Sequence, residues 1–118
     1  MSTQHTSSTC IHTIGAVSII KAGTSLAGDG LNQCRQGLDD CLALRRALLI
    51  LDLSDSPLIN SQGLEFIVDA QEQCLSRGGK LVVAEPQALC REVLYITGVD
   101  QRVAVFDNIR NALGDFAR

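Results

Sequence analysis

The chain has 118 residues, enough for one domain with its own core, and 46% of them are apolar, which indicates a globular protein. A net charge of −3, with Lys and Arg scattered along the chain, lacks the electrostatic footprint of a nucleic-acid binder. Aromatic residues are only 3%, so the core has to be built from Leu, Ile, Val and Ala.

Residues 1–10 are polar and Ser/Thr-rich and read as a flexible tail, leaving 11–118 as a single domain. No basic patch precedes an apolar segment there, and no apolar run approaches membrane-spanning length. The expectation is a soluble, cytoplasmic protein with no direct membrane insertion. The five cysteines, Cys10, Cys34, Cys41, Cys74 and Cys90, are odd in number and include no C-x-x-C pair. Reduced thiols are expected, with no disulfide framework. His5 and His12 are too few and too isolated to form a metal site, so no cofactor and no metal are expected.

Ile11–Ile14 and Ala16–Ile20 read as a hairpin around Gly15, with His12 on an edge strand. Lys21 to Gly30 is a Gly-rich connection without the G-x-x-x-x-G-K pattern of a phosphate loop. Leu31, Cys34, Leu38, Cys41 and Leu42 then recur at helical spacing. Gly37 costs that helix about 1 kcal/mol relative to Ala, and Arg45 and Arg46 suit its C-terminal end. Ala47 to Leu53 is the most apolar run and predicts a strand buried on both faces. Pro57 keeps the next connection out of the helical conformation.

A second helix is expected over residues 61–77. Its apolar stripe is Leu64, Ile67, Val68, Gln71, Cys74 and Leu75, with Glu65, Asp69, Glu72, Gln73 and Ser76 in water. Phe66 falls nearly opposite that stripe, in line with Gln62, Asp69 and Gln73, and reads as an outward partner contact. Gly78-Gly79 ends the helix, and Lys80–Ala84 is a short strand. Pro86 suits the first turn of a third helix carrying Leu89, Val93, Leu94 and Ile96, which Gly98 terminates. Val103–Phe106 is a last strand, and Asp107 is placed to cap a final helix that buries Ile109, Ala112, Leu113 and Phe116. The order β-β-α-β-α-β-α-β-α implies an α/β fold with a single mixed β-sheet of about five strands and about four packed helices, because βαβ units require parallel pairing while the hairpin adds an antiparallel pair.

Catalytic groups do not assemble on this pattern. The two histidines lie near the N-terminus, no G-x-S-x-G elbow is present, and a serine nucleophile would have no base. Asp52 and Asp55 sit at the C-terminal end of a central strand, where open α/β sheets keep their sites. An aspartyl phosphoacceptor would need further acids and a lysine beside a Mg²⁺ ion, and the opening strand offers no acidic pair. Asp52 and Asp55 therefore read as turn formers bonded to local backbone, and the chain reads as no enzyme. Ser61 stands out for a different reason. It sits where helical patterning begins, so its hydroxyl is set beside the unsatisfied N–H groups of a helix start, where an anion is favoured.

Four segments carry a family resemblance: Leu51-Asp52-Leu53-Ser54, Ile59-Asn60-Ser61-Gln62-Gly63-Leu64, Arg77-Gly78-Gly79-Lys80-Leu81 and Ile96-Thr97-Gly98-Val99. Together they resemble the STAS domain, the family named for sulfate transporters and anti-sigma factor antagonists, over residues 11 to 116. In the antagonist (anti-anti-sigma factor) branch, the matching loop carries an Asp-Ser pair. Its serine is phosphorylated by an anti-sigma factor that is itself a serine kinase, and the unphosphorylated form binds that kinase and frees the sigma factor. The resemblance thus implies a phosphoprotein of bacterial signalling that acts in transcription regulation through protein–protein interaction.

By position the resemblance makes Ser61 the phosphoacceptor, Gly63 a close-packed glycine and Leu64 the first core residue of the helix. Asp52 becomes a structural residue at the switch. Asp55, Ser56, Asn60, Ser61, Gln62, Phe66 and Asp69 become the partner-binding set, with an anti-sigma factor serine kinase as the partner. A weak homodimer is compatible with the pattern. Asn60 stands where that branch has Asp, and Gln62 where it has a second small residue. Asn still caps a helix, while the change removes a negative charge beside the acceptor. The alternatives are a non-switching STAS subunit of a lipid-transport or stress-signalling assembly, and a nucleotide-binding protein using the polar loop from Ser54 to Ser61.

Overall fold

The structure is a computed structural model and describes residues 10–117. Its sheet has five strands in the order β1-β2-β3-β4-β5: Cys10–Ile14, Val17–Lys21, Leu48–Asp52, Lys80–Ala84 and Val105–Phe106. β1 pairs antiparallel with β2, and every later pair is parallel. Four helices connect or close them: α1 (Gly28–Ala43), α2 (Ser61–Ser76), α3 (Ala88–Ile96) and α4 (Ile109–Phe116), with a 3-10 turn over Val99–Gln101. The mixed α/β sheet with four helices matches the sequence-based expectation. The expected tail and His5 fall on residues 1–9, which lie outside the described residues; Cys10 already belongs to β1 and pairs with Lys21.

Two apolar layers follow from the alternation of side chains along the strands. Leu49 and Leu51 of β3, with Leu81 and Val83 of β4, face one layer with Leu31, Leu38, Phe66, Ile67 and Leu94. Ile50 and Val82 face the other with Val17, Ile19 and Ala112. Burial of β3 on both faces explains why its sequence is apolar without alternation.

β5 is shorter than the expected Val103–Phe106. The chain is still completing the 3-10 turn there, and the Val103 N–H donates to Val99 O at 3.0 Å. The short strand reaches β4 only from Val83 onward, where Val83 N donates to Ala104 O and Glu85 N to Phe106 O. The Leu81 N–H points to the same edge but lies upstream of β5. Gln71 of α2 takes its place, accepting from Leu81 N through Oε1 at 2.7 Å. A buried N–H without a partner would cost about 1–3 kcal/mol, which accounts for an amide side chain among apolar neighbours on α2.

Helix ends differ from expectation in three further places. Pro86 precedes the N-cap Gln87, so it lies outside α3. The cap of α4 is Asn108, whose side chain accepts from Asn111 N at 2.8 Å, while Asp107 pairs with Arg91 at 2.5 Å. Arg46 lies beyond the end of α1 and fastens the opening hairpin. It donates to Ser18 Oγ at 2.7 Å and to Gly15 O at 2.8 Å.

Candidate functional site

The connection from β3 to α2 is held from three sides. Asp52 is buried and accepts from Ser54 N at 2.9 Å, closing the turn that ends the strand. Ser56 N donates to Leu53 O at 3.0 Å. Gln87 donates to Ser54 O at 2.8 Å, and the Cys90 thiol to Ser56 O at 3.1 Å, which ties the loop to α3. Ile59 bridges in parallel to Leu26, so the loop also lies against the connection that follows β2.

α2 then begins at Ser61, as its sequence position implied. Asn60 has extended backbone (φ −94°, ψ −179°), and its side chain accepts from Gly63 N at 2.8 Å. That is a helix cap, and it is available to Asn as well as to Asp. Leu64 N donates to Asn60 O at 3.0 Å as the first helical bond. The first N–H groups of a helix have no partner within it, and here those of Ser61 and Gln62 remain without one among the described residues. Ser61 and Gln62 are both exposed.

Gly63 is fixed by space. A Cβ there would press into the Leu26 carbonyl oxygen and come within 2.9 Å of Ile59 Cγ2. α2 therefore starts in close contact with the Leu26 backbone, and only a glycine allows that approach. Leu64 is half-buried and packs against the core. Asp55 is exposed and pairs with Lys21 at 3.4 Å. Both side chains are in water, so the pair contributes at most about 1 kcal/mol.

Two members of the expected partner-binding set do not offer their side chains. Ser56 is fully buried, its hydroxyl donating to Leu58 O at 3.2 Å. Phe66 is 3% exposed and lies in the main core, with the Arg35 guanidinium 5.6 Å from its ring centroid. The buried face of α2 is Gly63, Phe66, Ile67, Ala70 and Cys74, about a quarter turn from the expected stripe. Leu75, placed inside by the sequence pattern, is 55% exposed. Small Gly63 and Ala70 take the centre of the contact, and Phe66 is drawn inward at its edge. Asn60, Ser61, Gln62, Asp55 and Asp69 remain at the surface.

The thiols add no reactive group to this site. Burial pushes Cys74 up to about 11, with neighbouring Cys41 adding to the rise and Arg77 opposing it. Burial likewise raises Cys90 and Cys41 above the ordinary thiol value. Among the described residues no three His, Cys, Asp or Glu side chains gather as metal ligands, and no helix is long and apolar enough to cross a membrane.

The sequence matches the STAS domain family over residues 9–112, nearly the whole chain. The protein belongs to the STAS family. Comparison with curated proteins gives no match. Among solved structures, this STAS domain is similar to a Thermotoga maritima protein described as an anti-sigma factor antagonist, TM1081 (TM-score 0.86, 24% identity, covering 93% of this chain and 95% of that one). It is also similar to an anti-sigma factor antagonist from Mycobacterium paratuberculosis (TM-score 0.80, 19% identity, 93% of each chain). A third is the Bacillus cell fate determinant SpoIIAA in its phosphorylated form (TM-score 0.70, 13% identity, 93% of this chain and 99% of that one). At these identities the likeness is one of fold.

Proposed function

We propose that this STAS domain is an anti-sigma factor antagonist that binds an anti-sigma factor serine kinase and is released when the kinase phosphorylates Ser61. The observation that carries the reading is the start of α2: an exposed serine at the first helical position, with its own N–H and that of Gln62 unpaired among the described residues. A phosphoserine there adds roughly −1.5 to −2 charges at pH 7 beside N–H groups and a macrodipole that favour it. The fold needs no rearrangement to accept it. A partner docked over Asn60, Ser61 and Gln62 would meet new bulk and charge, next to the carboxylates of Glu65 and Asp69. Release therefore follows from local repulsion and not from unfolding. Similarity to a protein of this fold that is known in a phosphorylated form supports the reading.

Calorimetric titration of the serine-kinase anti-sigma factor from the same organism with the unmodified protein and with Ser61→Asp tests it. The expected result is tight binding by the first and a loss of roughly a hundredfold or more in the second, as when one charge is buried unpaired in an interface. Equal binding by both would remove the switch. The proposed role is regulatory, with no catalytic step assigned to any residue of this chain.

A further inference from the structure

The apolar arc of α2 is wider than its core contact. Phe66, Ile67, Ala70 and Cys74 are buried, which leaves Leu64 and Val68, four residues apart, only half-buried on the flank that turns toward the 3-10 turn. With Val99 of that turn they floor a groove of about 420 Å³, rimmed by Glu65, Asp69 and Arg102. Glu72 pairs with Arg102 at 3.1 Å and bridges the two walls. The groove's one rim cation is therefore already engaged, whereas Glu65 and Asp69 enter no ion pair among the described residues. Ser61 lies one helical turn before Leu64 and Glu65 on this side of α2.

We infer that this groove is the docking site for an amphipathic helix of the protein partner, one with apolar side chains at i and i+4 and Arg or Lys on its flanks. The apolar floor takes the anchors, and Glu65 and Asp69 select the flanking cations. The same carboxylates disfavour a second copy of this chain as the occupant, because its net charge is −3. The inference deepens the partner-binding reading by naming the partner's chemistry, and it requires no phosphorylation.

The test uses the isotope-labelled full chain and a synthetic peptide of about 15 residues, near the length at which an isolated helix first forms, with Leu pairs four apart and Arg flanks. Backbone amide shifts are expected to cluster at 64–69 and 99–102. The charge reversal Glu65→Lys with Asp69→Lys, both exposed, is expected to weaken binding roughly tenfold, and a Glu-flanked peptide to bind no better. Thermal melts establish that the variant is folded. Shifts elsewhere, no shifts at all, or unchanged affinity in the folded variant would overturn the inference, as would concentration-dependent self-association mapping to the groove. Failure here leaves the Ser61 reading standing, since the peptide assay contains no kinase. An unphosphorylated Ser61 would equally leave the groove intact.

Discussion

α2 and α4 both begin on an asparagine whose side chain accepts a hydrogen bond from three residues on: Asn60 from Gly63 and Asn108 from Asn111, each at 2.8 Å. The next N–H groups are treated differently. At α4 the first helical residue is half-buried Ile109, and its N–H donates to Glu85 Oε2 at 3.0 Å. The protein's own carboxylate already fills the anion-favouring position there. Glu85 does so from a left-handed backbone (φ 61°), a conformation that costs a non-glycine residue about 1–2 kcal/mol. At α2 the first residue is exposed Ser61, with no described carboxylate accepting from it or from Gln62. The first N–H of one helix meets a carboxylate of the protein itself, and that of the other meets none among the described residues.

Glycine substitutions separate the two regions most strongly. Gly63→Ala is expected to destabilise by about 3 kcal/mol, because the new methyl meets the fixed Leu26 backbone. Gly114→Ala in α4 meets nothing within 4 Å and is expected to stabilise by about 1 kcal/mol from helix propensity. Urea unfolding of both variants measures the contrast, and a harmless Gly63→Ala would show that α2 is not pinned at its start.

Placing a carboxylate at each first position comes next. Ile109→Asp puts a second carboxylate where Glu85 already sits and removes packing against the second core layer, at a cost of about 2 kcal/mol. Ser61→Asp is expected to leave stability unchanged or raise it by about 0.3–1 kcal/mol through the helix dipole. Equal destabilisation by the two would erase the distinction. The smallest difference is predicted at the caps themselves. Asn60→Ala and Asn108→Ala should each cost about 1 kcal/mol, read as a few degrees in the thermal midpoint.

The sequence made the start of α2 readable because several local signals coincide there. Pro57 forbids an early helix, Asn60 supplies a cap, and helical spacing begins at once. β3 was equally readable from an apolar run too short for a helix. The rotation of α2 was not, because its apolar residues span more than half the circumference. Nothing local says that the narrow side, with Gly63 and Ala70, lies against the sheet. That choice depends on the Leu26 backbone, which lies far away in sequence. Burial of Ser56 was hidden for the same reason, since its partners include Cys90 of α3. Asp107 and Asn108 are adjacent and both able to cap, and in the fold Asn108 takes the cap while Asp107 pairs with Arg91 of α3.

The proposed switch depends on Ser61 accepting phosphate at the start of α2. Phosphosite mapping by mass spectrometry, after incubation with the serine-kinase anti-sigma factor and ATP, tests it most directly. One phosphate on Ser61 and none on the Ser61→Ala variant is the expected result. Phosphate on another residue, or an unmodified chain beside a control antagonist that the same kinase modifies, would contradict it.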